Sequence, residues 1–122
     1  MFVHRLTELA EVLAVGVRVD WARSRRGPQS LVTELRARGS RRGPRDTVAR
    51  ARLQRIIGFV DRCFPSGGNC YRRALMEIAL DAGAAAEPLN LGLQAHGGPG
   101  SGHAWLADRR GVSTRYDAEL SL

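Results

Sequence analysis

Cys70 stands in "PSGGNCYRRALMEIAL", where a Gly/Ser-rich loop turns into a strongly helical run. His103 stands in "SGHAWLADRRG", at the first residue of what reads as a strand after a second glycine-rich loop. A thiol at a helix N-terminus faces unpaired backbone N–H groups and the positive end of the helix dipole. Both favour the thiolate, which is the nucleophile. The same N–H groups can hold the oxyanion that forms when a thiolate attacks a carbonyl. Ser66, Gly67 and Gly68 are small enough to let a substrate backbone approach the sulfur. Without chemistry, Cys70 is a small buried apolar residue and His103 a satisfied structural histidine.

A third group has to orient the imidazole, and Asp108 and Asp117 are the candidates. "DRRGV" fits a three-residue hairpin loop with Asp108 at the first turn position and Gly111 in the left-handed conformation. That loop pairs Asp108 with Val112 and sets His103 opposite Asp117, on one face with Cβ atoms about 5 Å apart. A two- or four-residue loop puts Tyr116 opposite His103 instead.

The elements that must position these residues follow from periodicity. Leu6, Leu9, Ala10, Leu13, Ala14 and Val17 recur at helical spacing and predict a first helix over 3–23. "RRGPQS" breaks it, and Pro28 starts a short helix through Leu31, Val32 and Leu35. "RARGSRRGPR" reads as a charged Gly/Pro connector. Asp46 or Thr47 caps a third helix whose apolar face is Val48, Ala51, Leu53, Ile56, Ile57, Val60 and Cys63. Phe64-Pro65 ends it. The helix after Asn69 shows Tyr71, Leu75, Ile78, Ala79 and Ala82 on one face, and Gly83 stops it. "PLNLGLQAH" then alternates as a strand, and "HAWLA" and "GVSTRY" read as two more. Helices first and a small antiparallel sheet after them make an α+β protein.

At 122 residues the chain is expected to be one compact domain. Within it, residues 1–45 form an arginine-rich helical N-terminal region and 46–122 the core. No apolar run approaches the ~20 residues that cross a bilayer. Glu8 and Glu11 interrupt the first segment, as a secretory h-region would not, so a cytoplasmic protein is expected. Cys63 and Cys70 are then expected as free thiols. Their spacing matches no common zinc pattern, and His4, His96 and His103 are scattered, so no metal site is expected.

All 19 basic residues are Arg. Residues 1–62 hold fourteen of them against six acids, whereas residues 63–122 hold five against six. The positive field therefore belongs to the first half. Such a field attracts nucleic acid, anionic lipid or an acidic peptide, or is simply a solvated face. On charge alone the stretch from Arg36 to Arg55 is where a partner or precursor is expected to make contact. No recognisable nucleic-acid-reading motif accompanies it.

Cys70 with Arg73, Ala74 and Leu75, followed by His103, Ala104 and Trp105 and a later Asp, resembles the transglutaminase-like leader peptidases of lasso-peptide biosynthesis. Their signature is a Cys-x-x-Arg-(Ser/Ala)-Leu helix start and a His-Ala-Trp strand. The likeness covers about residues 55–118. Leu106 and Ala107 stand where that strand usually continues with Val and Glu. The resemblance implies a transglutaminase/papain-like core and a cysteine endopeptidase that removes the leader from a ribosomally made precursor. Cys70 would be the nucleophile, His103 its base and Asp117 the group that orients His103. The resemblance also implies a stand-alone peptidase subunit that needs no metal or nucleotide. It would work beside a separate leader-binding protein and an ATP-dependent cyclase, with a Thr near the end of the leader. Two rivals are another thiol acyl-transfer enzyme, a transglutaminase or amidase, and a non-enzymatic arginine-rich nucleic-acid-binding protein.

Overall fold

A computed structural model describes residues 2–93, 103–106 and 118–122. Helix α1 runs Phe2–Arg23, α2 Pro28–Ser40, α3 Thr47–Arg62, α4 Cys70–Leu80 and α5 Ala82–Ala85. Strands β1 (Leu89–Leu93), β2 (His103–Leu106) and β3 (Ala118–Ser121) follow. The architecture is α+β, as the order of periodicities predicts.

Helix α4 is the axis of the fold. From Ala74 to Leu80 every residue is buried, so its burial is nearly uniform around the helix rather than confined to one stripe. Helices α1, α2 and α3 and strand β2 surround it. Leu75, Met76, Ile78 and Leu80 are at most 1% exposed, and each such side chain stabilises the fold by roughly 1.5–3 kcal/mol. The Asp46 side chain accepts the Ala49 N–H at 2.7 Å, so Asp46 rather than Thr47 caps α3.

Helix α1 forms where the spacing predicts it, two other expectations need correction, and the buried side of α1 is one that periodicity leaves open. On α1 the core side is Val12, Gly16, Val19 and Ala22, while Leu6, Leu13 and Val17 are about half exposed. The helix carries two apolar stripes, and periodicity cannot say which one meets α4. Helix α2 does not stop near Leu35 but continues to Ser40, through residues expected in the connector. Gly39 permits this, because a Cβ there would lie 1.8 Å from the Ile78 carbonyl oxygen. Helix α4 ends at Leu80, ahead of Gly83. Asp81 turns extended and its side chain accepts the Gly83 N–H at 3.1 Å to start α5.

The sheet order is β2-β1-β3, with both outer strands antiparallel to β1. Gly92 lies opposite His103 on one side and Glu119 on the other. Ala104 and Leu106 enter the core with Leu89, and the half-buried His103 and Trp105 alternate to the other face. The expected "GVSTRY" strand and the hairpin around Gly111 lie outside the described residues. The strand that follows them, Ala118–Ser121, pairs with β1. Sequence reading missed it.

Candidate active site

Asn69 fixes the start of α4. Its backbone is extended, and its side-chain oxygen accepts the Arg72 N–H at 2.9 Å. Cys70 is therefore the first residue of the helix, as its position in the sequence predicts. Its thiol is free and partly buried. The Ala104 N–H donates to Cys70 Sγ at 3.3 Å. That contact joins the helix start to the His-Ala-Trp strand across 34 residues of sequence. His103, one residue before Ala104, stacks on Trp105 with ring centroids 5.7 Å apart and planes 23° apart. A narrow cavity between α4 and β2 is lined by Cys70, Ala74, Glu77, Ala104, Trp105 and Leu106.

The loop before Cys70 is held by a side chain that sequence reading passed over. Arg72 is 0% exposed. Its Nε donates to Asp61 Oδ1 at 2.6 Å. Its Nη1 donates to Asp20 Oδ1 and to Ser66 Oγ, both at 2.8 Å. Its Nη2 donates to the carbonyls of Asp61 at 2.9 Å and Gly67 at 2.6 Å. The Phe64 ring lies 4.3 Å from the guanidinium carbon. The other oxygen of Asp61 accepts the Asn69 N–H at 2.8 Å. Gly67, with φ of +70°, takes the left-handed turn that the loop requires. Arg73, the motif arginine by spacing, reaches Asp61 only at 3.5 Å and is 38% exposed.

Two titrations respond to this surrounding. The hydrogen bond from Arg72 holds the Asp20 carboxyl below its ordinary value, against the opposing effect of its own desolvation, and Arg23 adds to the lowering. Burial pushes the Tyr71 hydroxyl up, with Arg23 pulling weakly the other way.

Cys63 caps the C-terminus of α3 and is exposed, with its Sγ donating to the Phe59 carbonyl at 3.4 Å. Its expected place on the apolar face is thus corrected: a helix-end residue faces solvent here. Alkylation alone will not single out Cys70. The arginines between Arg36 and Arg55 are also less available than their count suggests. Arg42 pairs with Glu11, Arg45 and Arg52 with Glu8, and Arg50 with Glu77 and Asp81. Arg36 donates to the carbonyls of Glu87 and Leu122. Asp117 and Asp108 both lie outside the described residues. Among the described residues no group of His, Cys, Asp and Glu is arranged to hold a metal ion. Nor is any helix among them long and apolar enough to cross a membrane.

A Cys-first helix packed on a small antiparallel sheet, with a histidine on the strand that meets the sulfur, defines a class of thiol acyl-transfer folds. Residues 13–119 match the model of the Transglutaminase-like superfamily, and the chain belongs to that superfamily. Membership points to a thiol-based acyl-transfer or protease activity. Neither a curated protein nor a solved structure matches the chain.

Proposed function

We propose that the protein is a cysteine endopeptidase that removes the leader peptide from a lasso-peptide precursor. The observation that carries this reading is the 3.3 Å contact from the Ala104 N–H to Cys70 Sγ. It sets the two halves of the leader-peptidase signature against each other. In the reaction, His103 takes the thiol proton and Cys70 attacks the scissile carbonyl. The N–H of Cys70 contributes to the oxyanion hole. His103 then protonates the leaving amine, and water hydrolyses the thioester. Asp117 orients the imidazole. A separate leader-binding protein presents the precursor, and an ATP-dependent cyclase uses the released core.

The test is cleavage of the precursor, followed by mass spectrometry, by the wild type, Cys70→Ala and Cys63→Ala with the leader-binding protein present. Cys70→Ala should abolish cleavage and Cys63→Ala should leave most of it. Loss with Cys63→Ala alone overturns the assignment. Superfamily membership equally suits a transglutaminase. Addition of a primary amine separates the two, because a transferase gives an amide product where a peptidase gives only the acid.

A further inference from the structure

We propose that Arg72 is a positioning residue for Cys70. The proposal rests on Cys70 being the nucleophile. A guanidinium has five N–H groups. All five of those on Arg72 meet an acceptor, in a side chain with no exposed surface. One bond goes to the Asp61 carboxylate and one to the Asp61 carbonyl. The other three reach Asp20 on α1 and, in the loop ahead of Cys70, Ser66 and Gly67.

Energetics favour geometry over stability as the reason for this arrangement. A buried ion pair is often no more stabilising than apolar residues of the same volume. The pair's value lies in the shape that it fixes. With the Gly67 carbonyl held by Arg72 and the Asn69 N–H held by Asp61, the chain enters α4 in one direction. Asn69 Oδ1 is spent on the Arg72 N–H, two residues past Cys70. The N–H of Cys70 is thereby aimed by the clamp rather than by the cap, and misaim of about 1 Å costs roughly 100-fold in rate.

The experiment uses the full chain in a Cys63→Ser background, so that iodoacetamide reads Cys70. Arg72→Lys, Asp20→Asn and Ser66→Ala are compared by kcat and KM on the precursor, by the alkylation rate and by circular dichroism. Lysine keeps the charge and loses the planar fork. Arg72→Lys should lower kcat roughly 10–100-fold with KM little changed, and slow alkylation several-fold in the folded protein. Asp20→Asn and Ser66→Ala should do the same to a smaller degree. If Arg72→Lys does not fold, those two variants decide. Variants that melt earlier yet keep wild-type kcat and alkylation rate give Arg72 a merely structural role and overturn the proposal. Should the wild type fail to cleave the precursor, the peptidase reading falls, and the alkylation rates alone still decide on Arg72.

Discussion

Each end of α4 is held by an arginine, fully buried at one end and partly exposed at the other, and the two are used differently. At the Cys70 end, Arg72 gives three of its five donors to backbone carbonyls and a hydroxyl. It shapes a loop. Further along, Arg50 from α3 faces carboxylates: Glu77, Asp81 and Glu87. Gln54 adds a bond to Glu77 at 3.2 Å. Glu77 and Asp81 are at most 2% exposed, so Arg50 neutralises charge that burial would otherwise penalise heavily. One arginine sets the direction of a chain and the other compensates a cluster. Similar chemistry at two ends of one helix thus serves geometry in one place and charge balance in the other.

The contrast can be broken by substitution. The largest effect on stability is expected for Arg50→Met. Removing the partner of buried carboxylates costs about 3–5 kcal/mol. It should do so without changing the Cys70 alkylation rate of the protein that remains folded. A fall in that rate as large as Arg72→Lys produces would erase the distinction.

Gly39→Ala should come next. Its Cβ would meet the Ile78 carbonyl, a backbone atom that cannot step aside, so α2 must lift from the far end of α4. A cost of about 1–3 kcal/mol is expected from denaturant unfolding, again with little effect on Cys70.

The smallest effect concerns Asp20. Because its carboxyl is held below the ordinary value, it adds stability above that value. That stability is lost as the pH falls through the lowered one. Wild-type melting temperature should therefore drop more steeply below about pH 4 than that of Asp20→Asn. Parallel curves across that range would show that the carboxylate's charge contributes nothing.

Much of this frame was legible in the sequence. The cap at Asp46, the proline at the start of α2 and the alternation at Leu89 to Leu93 act locally, so they are written in neighbouring residues. The partnership of Cys70 with the strand beginning at His103 was legible as a motif. Arg72 was not. Charged residues count as solvent-facing in a periodicity, and from Ala74 to Leu80 α4 is buried on every side, so no apolar stripe marks which residues face inward. The two aspartates that receive Arg72, Asp20 and Asp61, lie 52 and 11 residues away. Only tertiary packing brings them together. Which stripe of α1 is buried was hidden for the same reason, since both stripes carry the helical period.

The most direct measurement is a double-mutant comparison of precursor cleavage by Cys70→Ala, His103→Ala and the combined variant, each shown to be folded by circular dichroism. Groups that act as one catalytic unit lose their effect together, so losses in such a unit are far from additive. The double variant should be no slower than the worse of the two single ones. Substantial activity in His103→Ala, or losses that multiply in the double variant, would contradict a joint role for Cys70 and His103.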